Sequence, residues 1–182
     1  GIGAAFVDIG LGKNGFLYVS DVVEPEPDED AVLEGDRESA PRPAGRGRRS
    51  RIEELVKPNQ DILVQVLKEP FGTKGSRLTT HLSLAGRYLV LMCNDARLGI
   101  SKRIEDPKER GRLRELLQKS RPSPETGFIV RTAGIGKGEK EFVRDVRYLT
   151  GLWQQIKRLD KRAKPPVCLY QEHNLAPRVI RD

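Results

Sequence analysis

The chain has 182 residues, enough for one large domain or two small ones. Hydrophobic residues make up 37% and charged residues 32%, a polar but globular balance with a modest core. The net charge of +7, with an isoelectric point of about 9.6, favours a polyanionic partner by counterion release from phosphates, although a merely soluble basic protein carries the same excess.

Composition also excludes. The longest apolar runs, such as Tyr88 to Cys93, fall well short of the roughly 18 residues that cross a bilayer. No secretory signal is visible. The two cysteines, Cys93 and Cys168, lie far apart in apolar, strand-like runs and read as reduced core thiols of a cytoplasmic protein. Without a Cys-x-x-Cys pair, no structural zinc site is expected within the chain. The first residues read as the interior of a strand and Arg178 to Asp182 stop in mid-pattern, so the chain is expected to be a piece of something longer.

In chain order, residues 4 to 23 predict two strands around the turn Gly10-Leu11-Gly12-Lys13-Asn14-Gly15. Residues 24 to 51 are acidic, then rich in arginine, proline and glycine, and predict a mobile loop. Its cluster Arg46, Arg48, Arg49 and Arg51 reads either as a solvated loop or as an RNA contact. Residues 52 to 57 predict a helical turn, and Asp61 to Lys68 a half-buried strand. After the tight turn Gly72-Thr73-Lys74-Gly75, a further strand is expected over Leu78 to Ser83. Short strands with glycine turns suggest a small closed barrel.

Beyond Gly86 the pattern mixes strand and helix. Tyr88 to Cys93 predicts a buried strand, and Pro107 to Lys119 a charged helix with Leu113, Leu116 and Leu117 on one face. Glu139 to Arg162 predicts a long amphipathic helix with the stripe Phe142, Val146, Leu149, Trp153, Ile156 and Leu159, ended by Pro165-Pro166. Within that stripe Trp153 reads as core. Val167 to Tyr170 predicts a last strand. The class is therefore α+β.

Two constellations carry chemistry. Phe6 and Phe16 lie on adjacent strands, with Lys74 on a glycine turn. Such aromatics either stack bases or fill the core, and the lysine suits a backbone phosphate. The segment Gly127 to Gly134 reads as a buried strand that delivers Arg131 and Thr132 into a turn flanked by Gly134, Gly136 and Gly138. Arg131 offers a planar fork of donors and Thr132 a hydroxyl, and the glycines let backbone approach an anion. A terminal phosphate fits such a site in an open electropositive recess, and a structural salt bridge is the competing reading of Arg131. Gly134-Ile135-Gly136-Lys137 departs from the phosphate-loop pattern, which needs a glycine at 131 and serine or threonine at 138. His81 and His173 lack partners at metal-ligand spacing, and Asp8, Asp61 and Asp145 are isolated.

These segments resemble a known family. Ala4-Ala5-Phe6-Val7-Asp8-Ile9-Gly10, Asn14-Gly15-Phe16-Leu17 and Gly72-Thr73-Lys74-Gly75 with Leu78-Thr79-Thr80 are similar to the S1 RNA-binding domain of the ribonuclease E and ribonuclease G family. Ser83 to Met92, Gly99 to Ile104 and Gly127 to Lys137 look like its 5′-sensor. The resemblance implies an S1-type OB-fold β-barrel, incomplete at its N-terminus, over 1–81, with the loop at about 24–51. A mixed α/β 5′-sensor subdomain over 82–176 and the start of a ribonuclease-H-like subdomain at 177–182 are implied to follow.

The resemblance places Phe6, Phe16 and Lys74 on single-stranded RNA. It places Gly86, Val90, Lys102, Arg131 and Thr132 on the pocket for a 5′-monophosphate, with Lys102 where better-known members carry arginine. The implied parent is a cytoplasmic bacterial endoribonuclease that cleaves AU-rich single strands in mRNA decay and in rRNA and tRNA processing, as a possible homo-oligomer. Magnesium is expected in its downstream catalytic domain, and neither a cofactor nor a catalytic residue within this chain. A stand-alone S1-type RNA-binding module is the alternative, and a protein-interaction scaffold a third.

Overall fold

The computed structural model describes residues 3–22, 51–72 and 74–172. Most of the expected loop, Thr73, His173 and the segment 177–182 lie outside the described residues.

The first sheet has the strand order β1-β2-β4-β3, with β1 Ala4–Val7, β2 Gly15–Tyr18, β3 Gln65–Lys68 and β4 Arg77–Thr79. β1 and β2 form the expected antiparallel hairpin, and β2 then runs parallel to β4. Alternation along β2 and β4 buries Leu17 and Leu78 on one face, where Ile52 of the single helical turn α1, Ile52–Leu55, adds to the cover. Among the described residues the sheet is open, with β1 and β3 as its edges, where a closed barrel is expected from the sequence. The ladder to β3 is short because its register shifts between Val66 and Lys68, and Val66 and Leu67 are exposed.

The second sheet has the order β5-β6-β8-β7, with β5 Ser83–Ala85, β6 Leu89–Met92, β7 Leu98–Ile100 and β8 Gly127–Val130. The single strand expected over Leu78 to Ser83 is thus two, one in each sheet. Between them the Thr79 hydroxyl accepts from the His81 N–H at 3.0 Å, which turns the chain. The Gln65 side chain ties the sheets together, donating to the Ser83 carbonyl at 3.1 Å and accepting from its N–H at 2.8 Å.

Helix α2, Pro107–Ser120, begins where its physics requires. Asp106 accepts from the N–H groups of Lys108 and Glu109, and Pro107 takes the first helical position. Helix α3, Glu139–Asp160, carries the stripe read from the sequence: Phe142, Val146, Leu149 and Ile156 are buried, and Trp153 packs at the edge. Phe142, Val146 and Leu149 meet Leu89, Leu91, Phe128, Val130, Leu113 and Leu117 in one core, with Trp153 packed against it. Each fully buried side chain there contributes about 1.5–3 kcal/mol of transfer free energy.

Four expectations fail at the C-terminal end. α3 stops at Asp160, before Pro165-Pro166, and the Ala163 N–H closes a turn onto the Asp160 carbonyl. Leu159 is exposed, although the stripe read from the sequence includes it. Among the described residues Val167 to Tyr170 pairs with no strand, and Cys168 is exposed there, so it is no core thiol.

Candidate RNA and phosphate sites

Phe6 and Phe16 are cross-strand partners, and their rings lie 5.1 Å apart, tilted by 57°. They occupy the face of the first sheet opposite Leu17. Phe6 is 60% exposed and Phe16 half-buried, so neither is an ordinary core residue. Register also places Arg77 beside Phe16, with its guanidinium 5.5 Å from the centroid of the Tyr18 ring and paired to Asp21 at 3.1 Å.

The turn that carries Lys74 lies beside Phe16, whose ring would be 3.3 Å from a Cβ on Gly75. The Lys74 backbone exchanges two hydrogen bonds with Phe71, at 3.0 and 3.2 Å. The turn is pinned to the β1–β2 turn, because Lys13 Nζ donates to the Gly72 carbonyl at 2.8 Å. Gly75 lies so close to Asn14 that a Cβ there would overlap the Asn14 carbonyl. Phe71 is 88% exposed beside Lys74. The sequence reading misses it, because a lone aromatic between Pro70 and Gly72 looks like part of a turn.

The second constellation is assembled by topology. β7 and β8 run parallel, and β6 is antiparallel to β8. The ends of β7 and β8, the start of β6 and the end of β5 therefore meet at one edge. That edge gathers Gly86, Val90, Lys102, Arg131 and Thr132. Leu89 and Val130 are buried against the helices, so Val90 and Ile129 alternate onto the outer face.

Arg131 follows β8 and is half-buried; Thr132 beside it is exposed. Arg131 Nη1 donates to the carbonyls of Gly86 and, at 3.3 Å, Arg87. Its Nε and Nη2 have no partner among the described residues, and no carboxylate pairs with it there. The structural salt bridge that competes for this arginine is therefore absent from the described residues. The Gly86 N–H is taken by the Leu89 carbonyl at 2.8 Å, so Gly86 serves this site through its carbonyl.

Positive charge gathers around the turn that precedes β6. The Arg87 guanidinium and Lys137 Nζ lie 5.2 and 5.7 Å from the centroid of the Tyr88 ring. Neither cation stands out in the sequence, since their shared aromatic lies between distant segments.

The turn itself is held by Asp145. This carboxylate is buried on the inner side of α3 and accepts from the N–H groups of Arg87 at 3.1 Å and of Tyr88 and Leu89 at 2.8 Å each. Sequence reading sees only an isolated aspartate, because its partners are backbone groups 56 to 58 positions away.

The glycines after Arg131 do not form the anion cradle expected of them. The Gly134 N–H bonds the Arg131 carbonyl, the Gly136 N–H bonds Glu109 at 2.8 Å, and the Gly138 N–H bonds Glu141 at 3.2 Å. Glu109 also pairs with Arg112 at 2.6 Å, and Arg112 donates to the Lys137 carbonyl at 2.9 Å, so the glycine loop is clamped to α2. Arg112 foremost, and the Gly136 N–H next, hold the Glu109 carboxyl down at about 2. One recess of about 300 Å³ lies here, lined by Arg103, Ile104, Glu105, Asp106, Glu109, Ile135 and Gly136; a broader one, about 720 Å³, runs along the start of α3. Arg131 and Thr132 line neither, so the open electropositive recess expected in front of the fork is not one of these two.

Among the described residues no three His, Cys, Asp or Glu side chains are placed to hold a metal ion, and no helix is long and apolar enough to cross a membrane.

The fold and its two sites define an α+β protein with an aromatic sheet face beside a lysine-bearing turn and an arginine held by two carbonyls at the end of a strand of a second sheet. Residues 83–182 match the Ribonuclease E/G family. Ribonuclease G of Escherichia coli strain K12 is 42% identical over 183 aligned residues, covering all of this chain and 35% of that protein. Ribonuclease G of Haemophilus influenzae is 40% identical over the whole chain, and Ribonuclease E of the same organism 39% identical over 98% of it and 18% of its own length. The chain belongs to the Ribonuclease E/G family. It spans about a third of the length of the Ribonuclease G relatives it matches.

Proposed function

We propose that the chain is the RNA-holding and 5′-end-sensing part of a bacterial single-strand-specific endoribonuclease. The first sheet, over residues 1–81, holds single-stranded RNA. The second unit, over 82–176, reads a 5′-monophosphate.

On the first face Phe6 and Phe16 stack bases, while Lys74 takes the backbone phosphate. Phe71, exposed beside Lys74, extends the same surface. At the second site Arg131 presents Nε and Nη2 to the terminal phosphate, which is close to dianionic near neutral pH. Thr132 adds its hydroxyl, Lys102 positive charge from the neighbouring strand end, and Val90 the apolar floor. Gly86 holds the guanidinium from behind. A site matched to one phosphate disfavours a triphosphate by unmatched charge and bulk.

The observation that carries this reading is the half-satisfied fork of Arg131. One nitrogen is fixed by two carbonyls, and the other donors are left without a partner among the described residues. A fork held in that way is oriented before the ligand arrives, which lowers the cost of ordering it.

Cleavage, in mRNA decay and in rRNA and tRNA processing within the cytoplasm, belongs to the whole protein. The described residues hold no cluster that fits magnesium. The magnesium expected of the parent enzyme would be held by residues outside those described.

Binding of a short single-stranded RNA with 5′-monophosphate, 5′-triphosphate or 5′-hydroxyl ends, at fixed salt, tests the proposal. Phe6→Ala should weaken all three alike, and Arg131→Ala should weaken only the first. A Phe6→Ala effect confined to one end group would refute the division of labour.

A further inference from the structure

We infer that Asp145 is the positioning residue of the phosphate site, acting from behind through the turn at 86–89. This rests on the proposed reading of Arg131 and deepens it.

Three observations converge. First, Asp145 is buried, and both oxygens are used: Oδ1 accepts from Arg87 N–H, and Oδ2 from Tyr88 and Leu89 N–H. Three consecutive amides converging on one carboxylate fix the plane of each peptide in the turn. Second, those peptides include the Gly86–Arg87 and Arg87–Tyr88 links, whose carbonyls hold Arg131 Nη1. Each of these links offers its N–H to Asp145 on one side and its carbonyl to Arg131 on the other. A negative charge on the N–H side polarises the peptide and strengthens its carbonyl as an acceptor. Third, the carboxylate sits against the Gly86 Cα, where a Cβ would come within 2.6 Å of both oxygens. Glycine at 86 and aspartate at 145 are thus one fitted pair.

Asp145 never touches the proposed ligand. It sets the direction in which Arg131 presents its remaining donors. A role confined to stability would leave the choice between RNA ends untouched, whereas a positioning role alters that choice.

The test uses the protein at its full natural length, with matched short RNAs bearing 5′-monophosphate or 5′-hydroxyl ends. Asp145→Asn keeps the volume but turns an amide group toward backbone donors. Losing charge-assisted bonds of this kind should lower the monophosphate-to-hydroxyl affinity ratio by about tenfold or more, with hydroxyl-end affinity held within about twofold. Should Asp145→Asn fail to fold, Gly86→Ala approaches the pair from the other side and should lower the ratio in the same way. Arg131→Ala is the control. If it removes the preference while Asp145→Asn and Gly86→Ala retain it, the positioning role is wrong and the phosphate reading stands. If both affinities fall together in the Asp145 variant, the residue is only structural. A rise in the ratio, as from removing a negative charge near the phosphate, also overturns the inference. If the unsubstituted protein shows no preference, or Arg131→Ala keeps it, the phosphate reading fails, and the inference with it.

Discussion

The carboxylate of Asp145 fills the space that a side chain on Gly86 would need, with both oxygens 2.6 Å from the ideal Cβ position. The seventh residue of a helix thereby fixes a hairpin turn in the sheet beneath it.

That contact makes a stability prediction. Gly86→Ala should destabilise the fold by about 1–3 kcal/mol, the usual cost of overpacking a tight site. In an Asp145→Ala background the same change should cost less, because the obstructing oxygens are gone. Denaturant melts of the four proteins of this cycle measure the coupling. Strict additivity would mean that the two residues do not obstruct each other.

On the first sheet, exposure separates binding from folding. Phe6 is mostly exposed, so Phe6→Ala should leave the melting temperature nearly unchanged while weakening single-stranded RNA by about 1–3 kcal/mol if one base stacks there. Phe16 is half-buried, so its truncation should show in both measurements. Lys74→Ala should reduce the salt dependence of binding by about 0.7 in log–log slope, the value for one phosphate contact on a single strand.

The clamp on the glycine loop predicts an acid dependence. The Glu109 carboxyl titrates at about 2 in the folded chain against 4.5 for the free group. Its folded value is depressed, so the stability it adds is complete above about 4.5 and disappears as pH falls toward about 2. Glu109→Gln should therefore be less stable than the unsubstituted chain at neutral pH, with the difference closing over that window. A difference that stays constant down to pH 2 would show that the charge on Glu109 does not matter to folding.

The two thiols should differ in reactivity. Burial pushes the Cys93 thiol up to about 12, whereas Cys168 is exposed. Alkylation near pH 8, followed by peptide mapping, should find Cys168 modified and Cys93 spared. Faster labelling of Cys93 would contradict its placement behind β6.

Much of the molecule is legible in the sequence where the signal is periodic or local. The stripe from Phe142 to Ile156, the Asp106-Pro107 start of α2 and the Asn14-Gly15 hairpin each depend on neighbours within a few positions. The edge that gathers Gly86, Lys102 and Arg131 is legible only through the family resemblance, since strand order is not written in any one segment. Asp145 and the Glu109–Gly136 contact escape because their partners are backbone amides, which every residue carries. Val167 to Tyr170 misleads for the opposite reason. Its β-prone composition pairs with no strand among the described residues, and propensity alone does not make a strand.

The central claim is that Arg131 reads a terminal phosphate, and the most direct measurement is the affinity ratio for 5′-monophosphate over 5′-hydroxyl RNA with and without Arg131→Ala. The account predicts a clear preference in the unsubstituted protein that vanishes in the variant, with hydroxyl-end binding intact. Equal affinity for the two ends before any substitution, or a preference that survives the loss of the guanidinium, would contradict it.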